Sequence, residues 1–169
     1  GRRVVKEKEF GLIADLAVIN SNKDNTSTVY TLDLQGNVKA WSSEGKFVKL
    51  VKVKAKPIGL EKTLFFKSHN LILYSNNSFF VVDQNDEIVL KHNVEENIRS
   101  IKSLTIQFNP KGEKHFVILS NFSSKLGTAC LSIFSKDKEL VYEEIVSRSK
   151  FLEKHENEEK VKTLLVGDG

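Results

Sequence analysis

The sequence predicts an all-β fold. Most of the chain consists of short runs rich in Val, Ile, Leu, Phe, Tyr and Thr, separated by clusters of Gly, Asn, Asp, Ser and Lys. A strand–turn–strand pattern also recurs three times in the same order. Helical periodicity is scarce. The one plausible helix is residues 149–160, which carry Glu/Lys pairs at helical spacing, and a solvated turn explains that stretch equally well.

Each strand is predicted where a β-rich run lies between two polar clusters. Several runs alternate apolar and polar residues, as expected when one face of a sheet is buried. The predicted strands are residues 15–19, 28–34, 37–41, 47–53, 64–66, 71–74, 79–83, 88–90, 104–108, 115–119, 130–134, 140–144 and 161–166. Many short strands with turn signals between them indicate a sandwich or a propeller.

An internal repeat favours the propeller. Three segments share an apolar strand, a tight polar turn and a returning apolar strand: residues 29–41 (VYTLDLQGNVKAW), 79–91 (FFVVDQNDEIVLK) and 131–143 (LSIFSKDKELVYE). The first strand of each ends near Asp33, Asp83 or Ser135. The copies are spaced by roughly 45 to 55 residues, which is the size of a four-stranded antiparallel blade.

The predicted architecture is therefore a β-propeller-like array of about three and a half four-stranded blades. It forms one domain or fragment over residues 1–169, with repeats at about 10–56, 57–98 and 99–148 and a partial copy at 149–169. A closed ring needs about four blades or more. We therefore expect the chain to be part of a larger propeller, or to be completed by a second copy in a homodimer or by another chain segment.

The segment VYTLDLQGNVKAW with the following SSEGKFVKL resembles the blades of quinoprotein-like and FG-GAP-like β-propellers, and WD-type blades are the alternative. In those blades an aromatic-rich strand, an Asp, a short Gly turn and an aromatic strand recur. The resemblance implies a propeller fold over most of the chain. The second and third copies have no glycine at the turn, and Trp41 is the only tryptophan.

Composition excludes several classes of protein. Apolar residues make up 40% of the 169 residues and charged residues 28%, which is typical of a globular chain. No apolar run approaches the roughly 18 residues needed to span a bilayer. The net charge of +4 is too small to predict a nucleic-acid partner. The single Cys130 slightly favours the cytoplasm, but an extracellular or periplasmic location stays open.

No motif of an enzyme, a metal site or a cofactor site is present in the sequence. The four histidines share no ligand spacing, and Cys130 lies in an apolar run where a thiol behaves as a small hydrophobe. Nucleophile elbows and phosphate-binding loops are missing as well. We therefore expect a protein without catalytic activity, metal or cofactor, and a quinoprotein-like enzyme is the least favoured reading.

Seven polar residues are the candidate partner-binding residues: Asn22, Asp24, Lys52, Lys54, Lys56, Asn121 and Lys125. Four of them belong to loops predicted at residues 20–27 and 121–128. The three lysines alternate with Val51, Val53 and Ala55, which places them in one row. Such a row either binds an acidic partner or keeps an edge strand from pairing with other chains.

The predicted function is a non-catalytic scaffold that binds a protein partner through loops at the rim of the blades, an expectation based on fold analogy. The alternative is an extracytoplasmic sensory domain that binds a ligand or a carbohydrate. A sugar site needs an exposed aromatic ring, so Trp41, Tyr74 or Tyr142 would have to face solvent. We expect Trp41 to be in the core, because it ends an alternating strand.

Overall fold

The computed structural model describes residues 12–21 and 23–147, and these residues form twelve β-strands and no helix. The strands make three antiparallel sheets of four, each in sequential order. The first sheet contains β1 (Ile13–Asn20), β2 (Ser27–Asp33), β3 (Val38–Ser42) and β4 (Phe47–Leu50). The second contains β5 (Gly59–Phe65), β6 (Ser68–Tyr74), β7 (Ser78–Val82) and β8 (Ile88–Asn93). The third contains β9 (Ile98–Gln107), β10 (Lys114–Phe122), β11 (Thr128–Phe134) and β12 (Leu140–Ser147).

The predicted all-β fold of four-stranded antiparallel units is confirmed. Twelve of the thirteen predicted strands overlap an observed strand. The thirteenth, at 161–166, lies outside the described residues, as do the partial repeat at 149–169 and the candidate helix at 149–160. In the described part of the chain, no helix is present that could cross a membrane.

One turn geometry closes four of the hairpins: β2–β3, β3–β4, β7–β8 and β11–β12. The last residue of the first strand, or the residue after it, donates its N–H to the carbonyl four residues later at 2.8–3.0 Å. Its own carbonyl accepts the N–H of the residue three positions later. The residue that donates this second hydrogen bond has a positive φ in all four turns. It is Gly36, Gly45, Asp86 or Lys138. The pattern is a type I turn followed by a left-handed residue, a common hairpin connection.

The predicted alignment of the three repeats is wrong by one strand in the first copy. Residues 29–41 form the second and third strands of their sheet, whereas residues 79–91 and 131–143 form the third and fourth strands of theirs. The true counterpart in the first sheet is the β3–β4 hairpin, whose turn follows Ser42. The β2–β3 hairpin was aligned in its place because two successive hairpins of the first sheet use the same turn.

The chain divides into two compact units. The first unit holds the first and second sheets, except for Leu64–Phe66, which comprises the last two residues of β5 and the residue after them. Its core is apolar and draws on one face of each of the two sheets: Ala17, Ile19, Tyr30, Leu32, Val38, Ala40, Val51, Leu60, Leu71, Leu73, Phe80 and Val82. Burying such a face against a neighbouring sheet is the stabilisation that a single blade lacks.

The second unit holds the third sheet together with Leu64–Phe66. Phe65 meets Phe116 edge to face, with ring centroids 4.8 Å apart. The hydroxyl of Thr105 accepts the N–H of Phe66 and donates to the carbonyl of Leu64, both at 2.8 Å. The backbone at the end of β5 is therefore fixed by a side chain of β9.

Candidate partner-binding surface

The loop between β1 and β2 carries Asp24, while Asn22 lies outside the described residues. Asp24 is exposed, and its carboxylate accepts hydrogen bonds from the hydroxyl and the N–H of Thr26. These bonds, with the hydroxyl of Ser21, lower the pKa of Asp24 below 3.8. The carboxylate therefore stays charged near neutral pH, and it holds its own loop in place.

Lys52, Lys54 and Lys56 lie in the connection between β4 and β5. The predicted strand 47–53 ends as a strand at Leu50, but the alternation continues beyond it. Val51 is buried, and Val53 and Ala55 pack against the core of the first unit. The three lysines are exposed, and the segment bends at Lys54, where the N–H of Ala55 donates to the carbonyl of Val53 at 2.8 Å. We call Lys52, Lys54 and Lys56 the basic row.

The backbone under the basic row is fixed at both ends. At its start, the N–H of Val51 donates to the carbonyl of Val38 at 2.8 Å. At its end, Lys56 lies against the turn at Gly36, where an added Cβ would be 3.3 Å from the Cβ of Lys56. Within the described part of the chain, none of the three lysines has an ion pair. Their ammonium groups are therefore open to an anion.

Asn121 and Lys125 lie in the second unit. Asn121 is inside β10, partly buried, and its amide donates to the hydroxyl of Ser100 at 3.2 Å. Lys125 is exposed in the β10–β11 loop. The N–H of Ser123 in that loop donates to the carbonyl of Asn97 at 2.9 Å. The loop is therefore attached to the connection that precedes β9.

Strand order separates the candidate residues into two groups. The loop of Asp24 joins the first strand of a sheet to the second, at the end where β3 also finishes. The basic row follows β4 at the opposite end of the same sheet, beside the β2–β3 turn. The loop of Lys125 joins the second and third strands of its sheet, as the β2–β3 turn does. Asp24 and the basic row therefore cannot form one site within the first unit.

The aromatic residues that a sugar site would need are mostly buried. Trp41 is 2% exposed, and its indole N–H donates to the hydroxyl of Thr31 at 2.9 Å. The prediction that Trp41 is in the core is confirmed. Tyr74 is also buried, whereas Tyr142 is 44% exposed and donates its hydroxyl hydrogen bond to Glu144.

The sequence reasoning missed an open cleft beside Trp41. The cleft has a volume of about 520 Å³ and is lined by Lys39, Trp41, Gly45, Lys46 and Phe47. Phe47 is 55% exposed and meets Trp41 edge to face, with centroids 5.4 Å apart. The signal in the sequence is the period of two in β3, which places Lys39 and Trp41 on the same face.

Chemistry at the single cysteine is suppressed by its surroundings. Burial raises the pKa of Cys130 to about 11, and Ser132, whose hydroxyl lies 3.6 Å from the sulfur, lowers it only in part. The thiol is therefore neutral near pH 7 and 1% exposed, which disfavours nucleophilic attack. Among the described residues, no group of three or more His, Cys, Asp or Glu is placed to hold a metal ion.

Solved structures with a similar fold are propellers or contain them. BBS1N in complex with ARL6DN has a TM-score of 0.54 at 14% identity and is matched over 80% of this chain and 40% of its own. Hydrazine synthase of Kuenenia stuttgartiensis gives 0.51 at 14% identity, over 76% of this chain and 36% of its own. The Dos1 propeller gives 0.50 at 19% identity, over 78% and 34%.

This chain thus spans about two fifths or less of the length of each of these three proteins. No family model matches the sequence, and no curated protein matches it either. The resemblance to propeller blades is confirmed at the level of the fold, while the choice between quinoprotein-like, FG-GAP-like and WD-type blades stays a prediction. Three consecutive four-stranded blades of a β-propeller make up the described chain.

Proposed function

We propose that the chain is a non-catalytic propeller scaffold that binds an acidic segment of a protein partner through the basic row. The observation that carries this proposal is the exposure of Lys52, Lys54 and Lys56 on a segment whose alternate residues pack against the core, with no acidic partner among the described residues. The similar structure of BBS1N was solved with a protein partner, which supports a binding role for blades of this kind.

The charge of the basic row suits an anionic peptide. Three exposed ammonium groups lie on a segment of five residues, 52–56. Exposed charge pairs contribute only about 0.2–1 kcal/mol each. Three together predict a weak, salt-sensitive interaction, which other contacts in a natural partner would strengthen.

The test is binding of a synthetic octaglutamate peptide, followed by fluorescence anisotropy at low and at high salt. The triple variant Lys52→Glu/Lys54→Glu/Lys56→Glu should weaken binding by at least about tenfold, because attraction becomes repulsion. The matched control reverses three other exposed lysines, Lys23, Lys111 and Lys114, and changes the net charge equally. If both triple variants lose binding equally, net charge and not the basic row attracts the peptide.

The rim loops need a separate test. Asp24 lies between the first and second strands of its sheet, whereas Lys125 lies between the second and third strands of another sheet. Lys125→Glu and Asp24→Ala are each compared with the unmodified chain in capture of the same peptide. We expect Lys125→Glu to weaken binding about two- to threefold and Asp24→Ala to leave it unchanged. Unchanged binding in Lys125→Glu would mean that the loop of Lys125 does not contribute to capture of the peptide.

A solubility role predicts a different result. Replacing the three lysines of the basic row by Ser removes their charge without adding repulsion. If peptide binding is kept while the chain aggregates at lower concentration, the row serves to protect the surface from self-association. Loss of binding in a variant that stays monodisperse supports the proposed scaffold.

A further inference from the structure

The cleft beside Trp41 has one exposed aromatic wall. Phe47 is 55% exposed, whereas Trp41 is 2% exposed and contacts it edge to face, with the ring centroids 5.4 Å apart. The indole N–H donates to the hydroxyl of Thr31 at 2.9 Å, which fixes the orientation of the Trp41 ring. The side chain of Phe47 is therefore the aromatic surface that the cleft offers to a ligand, and the buried Trp41 supports it.

Positive charge lies on both sides of this wall. Lys39 precedes Trp41 by two residues on β3, and Lys46 precedes Phe47 in the β3–β4 turn. Because Trp41 is paired with Phe47 across the two strands, the two lysines lie on opposite sides of that pair, and both line the cleft. Glu44 is 4.0 Å from Lys46, and the two side chains are 76% and 81% exposed. An ion pair so exposed contributes little, and an anionic ligand replaces it at little cost.

An exposed apolar strand joins the cleft to the basic row within the first unit. β4 begins at Phe47 and ends at Leu50, which is 46% exposed. Leu50 is paired with Lys39, so these two residues lie on the same face of the sheet. Lys52 follows Leu50 by two residues. At about 3.3 Å per residue, Phe47 and Lys52 are up to roughly 17 Å apart, the length of about five extended residues of a bound segment.

We propose that the cleft binds an aromatic side chain of the same acidic segment that binds the basic row, an inference that rests on the function proposed above. A cleft of about 520 Å³ has room for a Phe side chain packed on Phe47. The charges of Lys39 and Lys46 favour an acidic segment over a neutral one. Exposed lysines alone give weak binding, whereas a buried aromatic anchor supplies much of the affinity of a protein interface. The partner is therefore an extended segment with an aromatic residue about five positions from a run of Glu or Asp.

The experiment compares two peptides by fluorescence anisotropy on the full chain. The first contains a phenylalanine, a four-residue Gly-Ser linker and eight glutamates, and the second has alanine in place of the phenylalanine. Each is made with the anchor residue at the N-terminal and at the C-terminal end, so that both directions of binding are tested. We expect the phenylalanine peptide to bind at least about tenfold more tightly than the alanine peptide in one direction, because its ring is buried in the cleft.

A variant of the aromatic wall locates this difference. Phe47→Ala should bring the two peptides to the same affinity and leave binding of the alanine peptide unchanged. The matched control is Leu126→Ala, which truncates another exposed apolar side chain in the second unit and should keep the tenfold difference. Circular dichroism checks that both variants are folded. Trp41 is the only tryptophan in the sequence, so its emission should change with the phenylalanine peptide and not with the alanine peptide.

Equal binding of the two peptides by the unmodified chain in both directions overturns the aromatic anchor and leaves the basic row standing. A tenfold difference that persists in a folded Phe47→Ala variant also overturns it. If the phenylalanine peptide binds through Phe47 while the triple variant of the basic row binds it as tightly as the unmodified chain, the role of the basic row fails and the anchor stands. Absence of binding by either peptide overturns both.

Discussion

The turns after Asp33 in the first sheet and Asp83 in the second have the same backbone but different residues at the left-handed position. In both, the carboxylate accepts the N–H groups of the residues two and four positions later, at 2.8–2.9 Å. The left-handed residue is Gly36 at φ 88° in one and Asp86 at φ 64° in the other. The acceptor at the first position therefore defines this turn, and glycine is optional.

Each turn has its own reason for the residue at the left-handed position. At Gly36 the neighbouring Cβ of Lys56 would be 3.3 Å from an added Cβ, so a side chain there has little space. Asp86 pairs with Lys49 at 2.8 Å, and both side chains are partly buried. Asp also tolerates a positive φ better than most residues. An ion pair with β4 therefore accompanies the less favourable backbone in the second sheet.

The largest effect is expected from removing glycine where the backbone and the neighbour both require it. Gly36→Ala should lower the free energy of unfolding by about 2 kcal/mol, from the left-handed backbone and the contact with Lys56 together. Gly45→Ala, at φ 83° in the β3–β4 turn, changes the same backbone conformation and serves as the control. Urea unfolding of both variants measures the difference. Equal losses would mean that the Lys56 contact contributes nothing.

The acceptor at the first position should give a graded series. Asp33 receives two backbone bonds and one from the Asn37 amide, whereas the hydroxyl of Ser135 receives one bond of 3.3 Å. Asp33→Ala should therefore cost about 1.5 kcal/mol and Ser135→Ala about 0.5 kcal/mol. Thermal unfolding by circular dichroism measures both. A reversed order would contradict the view that the acceptor defines the turn.

The sequence was sufficient for the strands because a period of two and turn residues are local signals. It placed Trp41 in the core and the three lysines at exposed positions, and both placements follow from alternation. It misaligned the first repeat, because Ser42 can begin the same turn as Asp33 and hydroxyl acceptors are common in loops. The corresponding turns of the second and third copies contain no glycine, and Asp86 and Lys138 adopt the left-handed backbone there instead.

The candidate site was harder to predict because its outline depends on contacts between distant residues. Lys49 and Asp86 are 37 positions apart, and their ion pair removes Lys49 from the exposed lysines around the basic row. The exposure of Leu16 and Val18, 58% and 43%, could not be predicted from the sequence either. An alternating strand gives the period of burial, but it does not say whether another sheet covers the second face.

A smaller difference between the acceptors Asp33 and Ser135 is expected in how their contribution to stability depends on pH. Burial raises the pKa of Asp33, but the hydrogen bonds from Asn37 and Gln35 lower it more, so the pKa lies below 3.8. The stabilisation by Asp33 is therefore complete above pH 3.8 and is lost as the pH falls through the folded-state pKa. The cost of Asp33→Ala should shrink between pH 6 and pH 2.5. Ser135 does not titrate, so the cost of Ser135→Ala should stay constant in the same unfolding experiments.

The smallest effect is expected at Lys138, where the third sheet uses a left-handed residue that is neither glycine nor Asp. Its φ is 66°, and its N–H bond to the carbonyl of Ser135 is the same as in the other turns. Lys138→Gly should raise the free energy of unfolding by about 0.5 kcal/mol, since relief of the backbone exceeds the greater freedom of the unfolded chain. Asp137→Gly, one residue earlier and without positive φ, should lower it by a similar amount. Opposite signs at adjacent positions would show that backbone conformation, and not flexibility of the turn, separates the glycine turns from the others.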